Sequence, residues 1–548
     1  MFKQYIADLK NEFSNYSGKK LSQDMMAGLT VTAVALPLAL AFGVSSGADA
    51  AAGLITAIFA GLLISALSGA SYQISGPTGA MTAILIQIVY NYGMKGVFIA
   101  TLIAGVILCI AGILKFGKLV SLIPAPVITG FTSGIAIIIA MGQIDNFFGV
   151  TSEGSTNIAK LISYGQLGFK PNLYAMLFGS IVVAIMIVWP KKWDAKVPSS
   201  LVGIVATLCI SLILKKNVAV VGDIPKTLLP NIRLNLIDVS IEQIKNMISP
   251  AIAIAALGMI ESLLCGASAG RMKGEKLNAD RELVAQGIGN IIIPFFGGVP
   301  ATAAIARTSV AIKSGAQTRL TGIFHAVGLL VSMFLLGDIM SQIPLASLAG
   351  VLMVTAWRMN EWESIQFIFR KKLKTAIAQF VITMVATVVF DLTTAILIGV
   401  IFSVLFFVIR ISDIEINLSD IDSARLSENG IHIQYPYERT KVVYLTGPVF
   451  FTTTEKIKMA LNELEEMDYV IFSMRGVPLV DITGTQLFCE VCETLHKQGT
   501  KVLFSGVQPK VMRLMERSGV VEQLGENHFF WNVEQSLIAI DEKYLAIS

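Results

Sequence analysis

Two charged residues lie inside apolar stretches of this 548-residue sequence, Glu261 well within a long one and Arg307 near the start of a short one. A charge at membrane depth is costly unless it faces a cavity or a partner, so such residues are functional by default. Arg307 is suited to supply fixed positive charge to an anion, and Glu261 to bind a coupling proton or sodium ion. The alternative is a structural Glu261–Arg307 ion pair that holds two helices in register.

Two segments rich in glycine and proline precede the short apolar stretches 78–91 and 302–313. A half-helix that starts inside the membrane presents unpaired N–H groups and the positive end of its dipole, which together attract an anion. Thr78 and Thr302 are predicted to cap these half-helices or to contact the ligand. The small residues that follow leave room for an anion at the backbone: Gly79, Ala80, Ala303 and Ala304. Alternatively, they only allow close helix packing.

The composition places these segments in a bilayer. The chain is 54% hydrophobic and 15% charged, with a mean hydropathy of +0.69, whereas an ordinary globular protein is about 25% charged. Apolar stretches of membrane-crossing length predict an α-helical polytopic membrane protein. Fourteen spans are predicted, near residues 26–44, 50–69, 78–91, 97–114, 121–142, 173–190, 199–214, 249–266, 281–297, 302–313, 320–337, 344–357, 374–390 and 393–410.

The two short spans are the third and the tenth, so they hold the same place in two halves of seven spans each. Short, interrupted segments at matching positions of two repeats indicate the binding site of a transporter. Because each half has an odd number of spans, the repeats must be inverted. The sequence therefore predicts an anion site between half-helices three and ten.

The loops between spans predict the orientation. Most of their lysines and arginines fall on the side of the N-terminus, which the positive-inside rule places in the cytoplasm. Residues 1–24 lack the features of a signal peptide and are predicted to be a cytoplasmic lead-in. An even number of spans in the transport domain 25–411 then predicts that the C-terminus is cytoplasmic as well.

The C-terminal part has the pattern of a small soluble α/β domain. Three short apolar runs alternate with helical patterns, which predicts buried strands in a sheet. The runs are 442–445, 469–472 and 501–504. We predict a linker at 412–429 and a cytoplasmic domain at 430–548.

No cofactor, metal site or catalytic constellation is evident, so an enzyme is the least favoured class. Cys489 and Cys492 have C-x-x-C spacing, but they lie in a helical pattern without a second pair or a histidine partner. A phosphate-binding loop of the form G-x-x-x-x-G-K-[ST] is absent from the tail. The sequence therefore predicts transport that is not driven by ATP.

Several motifs together resemble the SulP anion permeases, bacterial relatives of the animal sulfate, chloride/bicarbonate and prestin proteins. The similarity runs along nearly the whole chain. The motifs are Pro37-Leu38-Ala39-Leu40-Ala41-Phe42, Ser75-Gly76-Pro77-Thr78-Gly79, Pro126-Val127-Ile128-Thr129-Gly130-Phe131-Thr132-Ser133-Gly134, Gly297-Gly298-Val299-Pro300-Ala301-Thr302, Ala306-Arg307-Thr308, Leu348-Ala349-Gly350 and Ala356-Trp357-Arg358-Met359.

The resemblance implies a seven-plus-seven inverted repeat in which a core domain moves against a gate domain like an elevator. Spans 1–4 and 8–11 would form the core, spans 5–7 and 12–14 the gate, and the protein would be a homodimer. The resemblance places the coupling ion at Glu261. It places substrate contacts at Phe42, Thr78, Gly79, Ala80, Ala304, Ile305, Ala306 and Arg307.

Two positions depart from the family pattern. Leu38 stands where many members have glutamine, and Ala306 where many have serine. Fewer side-chain hydrogen bonds to the substrate are therefore expected, and backbone N–H groups and Arg307 carry more of the recognition.

The run Asp481-Ile482-Thr483-Gly484-Thr485 resembles the phosphorylation loop of STAS (sulfate transporter and anti-sigma antagonist) domains. The similarity covers about residues 430 to 545. It makes Thr483 a candidate regulatory residue and implies cytoplasmic protein partners. The alternative is that Asp481 or Thr483 only caps a helix.

The resulting prediction is secondary active transport of sulfate, bicarbonate or a dicarboxylate across the cell membrane, coupled to protons or sodium. Two other functions stay open. One is an uncoupled anion exchanger or channel on the same fold, and the other is a signalling platform that acts through the STAS domain.

Overall fold

A computed structural model of the chain divides it into two units, Met1–Phe402 and Ser403–Ser548. The first unit is helical, and the second contains a five-stranded sheet. The structure describes residues 2–118, 123–154, 157–190, 197–214, 218–224, 226–390, 392–422, 426, 428, 431–462, 464 and 467–546.

The longer helices of the first unit overlap the predicted spans, and several shorter helices lie between or before the spans. In its first part they are α1 (Phe2–Phe13), α2 (Gly18–Ser45), α3 (Ala50–Phe59), α4 (Ser65–Leu67), α5 (Gly79–Ile113), α6 (Ala125–Gly142), α7 (Ile144–Phe148) and α8 (Asn157–Leu167). They continue as α9 (Leu173–Val188), α10 (Ser199–Leu214), α11 (Ile241–Lys273), α12 (Ala279–Ile292), α13 (Ile305–Lys313), α14 (Leu320–Met340), α15 (Leu345–Met359), α16 (Trp362–Arg370), α17 (Lys374–Val389) and α18 (Leu392–Ile411).

Six helical stretches within the described residues are long and apolar enough to cross a membrane, and five further apolar helices are shorter. Each of the fourteen predicted spans contains a helical segment, and the number of spans itself stays a prediction. Spans three and four are the two parts of α5, which is interrupted at Gly93, where φ is 66° and ψ −173°. Glycine occupies this conformation without the steric cost that a side chain would bring.

Two short strands join distant parts of the chain. The strand β1 (Ser75–Gly76) pairs antiparallel with β2 (Thr302–Ala303), Ser75 opposite Ala303 and Gly76 opposite Thr302. The sequence predicts no strand at either place. The pairing brings the segment before the third span against the segment before the tenth.

Helices α2 and α3 approach closely at two glycines. A Cβ built on Gly53 would overlap the carbonyl of Ala39 and lie 2.9 Å from the Cα of Gly43. Backbone atoms form most of this contact, so a neighbouring side chain cannot rotate away to make room. The contact requires glycine at position 53 for a steric reason.

We therefore expect Gly53→Ala to lower the melting temperature of the detergent-solubilised protein by several degrees. Overpacking of this kind costs about 1–3 kcal/mol. Gly165→Ala is the control, because Gly165 in α8 has open space where the methyl group would lie. Equal melting temperatures of the two variants would contradict the close approach of α2 and α3.

The N-terminal helix α1 is bound to the rest of its unit by charged side chains. Arg281 pairs with Asp8, and Arg319 Nη2 lies 2.7 Å from Glu12 Oε2. Both guanidinium groups also lie over the ring of Tyr5, at 5.6 and 5.4 Å from its centre. The predicted lead-in 1–24 thus contains α1, which is attached to α12 and to the start of α14, and the first residues of α2.

The second unit has strands β3 (Glu415–Ser419), β4 (Thr440–Thr446), β5 (Tyr469–Gly476), β6 (Lys501–Ser505) and β7 (Phe529–Phe530), in that order across the sheet. Only β3 runs antiparallel to its neighbour. The three predicted strands are confirmed as β4, β5 and β6. Strand β3 lies inside the segment 412–429, which the sequence predicts as a linker. This part of the segment is ordered as a strand because it pairs with β4 along five residues.

Helices cover this sheet, and aromatic side chains fill its core. The helices are α19 (Thr454–Leu461), α20 (Ile482–Lys497), α21 (Pro509–Arg517), α22 (Val520–Leu524) and α23 (Val533–Leu545). Phe472 of β5, Phe488 of α20 and Phe504 of β6 are all fully buried, with ring centres 5.3–5.9 Å apart. An unbroken apolar run in each central strand is typical of a parallel sheet covered on both faces.

Candidate functional site

The ribbon of β1 and β2 leads directly into two helices. Thr78 is the N-cap residue of α5 and Ala304 that of α13, and neither side chain donates or accepts a capping hydrogen bond. The first N–H groups of a helix have no partner within the helix, and its dipole is positive at that end. Because β1 pairs with β2, two such helix starts leave the same ribbon.

Arg307 lies in the first turn of α13 with 1% of its surface exposed. Its Nη2 donates to the carbonyl of Pro77 at 2.9 Å. Its Nη1 has no hydrogen-bond partner among the described residues. A Cβ on Gly76 would lie 2.6 Å from Nη1, so only glycine leaves space for the guanidinium there. The side chain is therefore fixed by β1 and retains unused donor capacity.

Glu261 reaches the same segment from α11. Its Oε2 accepts a hydrogen bond of 2.9 Å from the hydroxyl of Thr78. Glu261 and Arg307 form no salt bridge with each other; they bind the adjacent residues Thr78 and Pro77. The structure thus brings both predicted charges to one dipeptide without pairing them directly.

The predicted contacts around the start of α5 also lie together. A Cβ on Gly79 would be 3.1 Å from the Cε1 atom of the Phe42 ring and would overlap the side chain of Ile139 in α6. Phe42 and Ala80 are buried, at 5% and 0% exposure. The aromatic ring of α2 therefore borders the N-terminus of α5.

The residues at the start of α13 are arranged differently. Ala304 is half-buried, whereas Ile305 and Ala306 are exposed, Ile305 by 51%. Their side chains do not pack into the protein interior around Arg307. The N–H of Ala304 donates to the carbonyl of Ile74 at 3.0 Å, so the groups that this turn can offer to a ligand beside Arg307 are the N–H groups of Ile305 and Ala306.

The sequence offers Thr302 as a cap of the tenth half-helix, but Thr302 does not cap α13. It lies in β2, two residues before the N-cap, and is fully buried. Its hydroxyl is 2.8 Å from the hydroxyl of Ser262 and 3.3 Å from the carbonyl of Gly258. Strand formation moves the start of the helix along the chain, so Thr302 binds α11.

Several polar residues around the ribbon were not predicted from the sequence. Ser262, one residue after Glu261, accepts a hydrogen bond from the backbone N–H of Ala303, and the hydroxyl of Thr308 accepts one from the N–H of Ile74. Three residues of α12 are also buried here: Glu282, Gln286 and Asn290. Their spacing of four within an apolar span was a signal that could have identified them.

The second unit holds the candidate regulatory residue. Asp481 caps α20, since its Oδ1 accepts from the N–H of Gly484 at 2.7 Å, and its Oδ2 accepts from the N–H of Phe451 at 3.2 Å. Thr483 is exposed in the first turn of α20. A phosphate on its hydroxyl would lie near the positive end of the helix dipole.

The two bonds of Asp481 allow a prediction. We expect Asp481→Ala to destabilise the second unit of the full-length protein by about 1–2 kcal/mol, the usual value of an N-cap. Limited proteolysis at increasing urea concentrations would measure this change. The variant should be cleaved after residue 430 at a lower urea concentration than the wild type. Thr483→Ala is the control, since Thr483 makes no capping bond; equal cleavage of both variants would exclude Asp481 as the cap.

The two nearby cysteines are ordinary packing residues of α20. Cys489 is half-buried and Cys492 is buried. Burial raises the pKa of both thiols, that of Cys492 to about 12. Both side chains are therefore neutral thiols at physiological pH.

Comparisons with known proteins agree with these features. Residues 21–386 match the model of the sulfate permease family, and residues 435–536 match that of the STAS domain. The putative sulfate transporter YvdB of Bacillus subtilis is 32% identical over 94% of this chain and 97% of its own length. The bicarbonate transporter BicA of Picosynechococcus sp. is 28% identical over 96% of this chain and 95% of its own.

Solved structures share the fold. The transmembrane domain of a cyanobacterial BicA covers 70% of this chain and 98% of its own, with a TM-score of 0.65 and 31% identity. The murine anion transporter Solute Carrier 26 family member A9 covers 97% of this chain and 93% of its own, with a TM-score of 0.83 and 16% identity. The second likeness concerns the fold alone.

Proposed function

The chain belongs to the sulfate permease family, and we propose that it takes up a small anion across the cell membrane by secondary active transport. The observation that carries the proposal is the ribbon β1–β2, which joins two uncapped helix starts beside Arg307. A compact negative ligand suits this arrangement, because N–H groups and a guanidinium donate to oxygen atoms and balance their charge.

The anion is held between α5 and α13. The N–H groups of residues 79–80 and 305–306 face it from the two helix starts, and the Nη1 of Arg307 supplies the donor that has no partner among the residues that the structure describes. Phe42 borders the site on its apolar side, and Thr78 and Ala304 complete it. Because few side-chain donors are present, the site recognises charge and size more than a particular pattern of hydroxyl groups.

Glu261 couples anion movement to a proton or sodium ion. Its carboxylate binds Thr78, the N-cap residue of the anion-binding helix. A cation at Glu261 neutralises the carboxylate next to the site, which lowers electrostatic repulsion of the anion. Binding of the two ions is therefore mutually favourable, as coupled transport requires.

The helices pack in a way that supports an elevator movement. Helix α5 packs most closely with α11 and α12, and α2 with α14 and α3. Separately, α6 packs with α17, and α9 with α15 and α10. The first group corresponds to the predicted core, which carries the anion, and the second to the predicted gate.

The relatives narrow the substrate class. Those reported above are named as sulfate and bicarbonate transporters, which supports these two anions for this chain. We propose a dicarboxylate as the third candidate, because the site suits any compact anion with carboxylate oxygens. We further propose that the protein is a homodimer in the cell membrane with both termini in the cytoplasm, where the STAS domain binds regulatory partners.

Uptake into proteoliposomes tests the proposal. Labelled sulfate, bicarbonate and fumarate would be offered separately, each with an imposed proton gradient, an imposed sodium gradient or none. We expect one anion to accumulate only when one of the gradients is present. Equal uptake with and without gradients would exclude coupled transport and indicate an exchanger or a channel. Uptake no faster than in protein-free liposomes would refute transport of all three anions.

A further inference from the structure

Helix α12 carries three polar side chains at intervals of four residues, Glu282, Gln286 and Asn290, here called the polar stripe. This interval places them on one face of the helix, about one turn apart. Their exposed fractions are 0%, 0% and 1%. Buried polar groups of this kind are held by hydrogen bonds, so their partners indicate the role of the stripe.

Two members of the polar stripe hold the two strands of the ribbon. Gln286 Nε2 donates to Ser75 Oγ in β1 at 2.7 Å. Asn290 binds both backbone groups of Ala301, the residue before β2: its Oδ1 accepts from the N–H at 2.8 Å, and its Nδ2 donates to the carbonyl at 2.9 Å. One helix thus fixes both segments that lead into the half-helices.

Glu282 orients the amide of Gln286. Its Oε1 accepts from Gln286 Nε2 at 2.8 Å, and its Oε2 accepts from the hydroxyl of Ser68 at 2.5 Å and the N–H of Gly69 at 3.0 Å. Glu282 forms no salt bridge with any residue that the structure describes. Hydrogen bonds from two separate segments therefore set the direction of the carboxylate.

The ribbon needs this support because it is short. It consists of two residue pairs, and an isolated two-stranded ribbon is at best marginally stable. A shift of β1 would move Pro77, whose carbonyl binds Arg307, and Thr78, where α5 begins. A displacement of binding groups by about 1 Å is enough to impair function strongly.

We propose that Gln286 and Asn290 are positioning residues of the anion site. Gln286, oriented by Glu282, fixes β1 and through Pro77 the guanidinium of Arg307; Asn290 fixes the approach to β2 and thereby the start of α13. This role rests on the proposed function, since it assigns the stripe to the site that binds the anion.

The test measures the KM and maximal rate of anion uptake, together with the melting temperature, in the full-length protein. Gln286→Leu, Asn290→Leu and Ser75→Ala are each expected to raise the KM about tenfold. If the stripe variants fold poorly, Ser75→Ala still tests the proposal, because it removes the bond from Gln286 without changing the stripe. The double variant Gln286→Leu/Ser75→Ala should have the KM of whichever single variant has the higher KM, because both substitutions remove the same hydrogen bond.

Two controls separate positioning from simple stability. Thr207→Val in α10 removes another buried hydrogen bond, from Thr207 to the carbonyl of Gly203, and should lower the melting temperature without changing the KM. Stripe variants that behave like Thr207→Val, while Arg307→Ala still raises the KM, overturn the positioning role and leave the proposed function intact. An unchanged KM in Arg307→Ala as well would overturn the proposed anion site and the positioning role with it.

Discussion

Replacing Arg307 with alanine should reduce the kcat/KM of anion uptake by about 100-fold or more. The change removes a buried positive charge and the Nη1 donor that no described residue uses. A hydrogen bond to a charged group contributes about 1.5–3 kcal/mol, and 1.4 kcal/mol corresponds to a factor of ten. Loss of the Nη1 bond alone therefore corresponds to a factor of about 10 to 140, and loss of the positive charge and of the bond from Nη2 to Pro77 adds to it. Initial uptake rates over a range of anion concentrations measure it.

Arg307→Lys should retain part of this activity, about tenfold below the wild type. Lysine keeps the charge, but its single nitrogen cannot hold the carbonyl of Pro77 and the anion with the fixed fork of a guanidinium. Arg370→Ala is the matched control, because Arg370 lies exposed on α16. If Arg307→Ala kept wild-type kinetics, the anion would bind elsewhere.

Glu261→Gln should abolish accumulation driven by an ion gradient while leaving exchange of labelled for unlabelled anion. Glutamine still accepts the hydrogen bond from Thr78, but it neither takes up a proton nor offers a carboxylate to sodium. With one proton per anion and no net charge moved, a gradient of one pH unit supports up to about tenfold accumulation in the wild type. The variant should reach a ratio of about one. The ratio of internal to external anion at the end of uptake measures this difference. It is determined with the gradient imposed, with the gradient reversed and without a gradient.

Glu363→Gln serves as the control for charge removal, since Glu363 lies exposed in the first turn of α16. It should accumulate the anion like the wild type. A Glu261→Gln protein that still accumulates anion to the same ratio would exclude Glu261 as the coupling residue, even if its uptake rate were lower.

Much of the architecture follows from patterns that are local in the sequence. Runs of apolar residues predict the longer helices of the first unit, and three unbroken apolar runs predict β4, β5 and β6. The comparisons confirm the predicted family and the STAS domain. Arg307 and Glu261 are conspicuous because a charge within an apolar span requires a reason.

The contacts that shape the site could not be predicted in the same way. Strands of two residues have no measurable periodicity, so β1 and β2 are invisible until they pair. The partners of Gln286 and Asn290 depend on that pairing, since Ser75 lies more than 200 positions before Gln286. A prediction that lacks the strands places Thr302 at the start of a helix, whereas in the structure it lies two residues before the N-cap.

The pairing of β1 with β2 also has a consequence for biosynthesis. Gly76 and Thr302 are partners in the ribbon, yet ribosomes add about 5–20 residues per second, so β1 is made roughly 10 to 45 s before β2. During this interval α5 is inserted without the strand that later orders its first turn. The nascent N-terminal half must therefore wait in an incomplete form, and the ribbon forms only after the segment with β2 has left the ribosome.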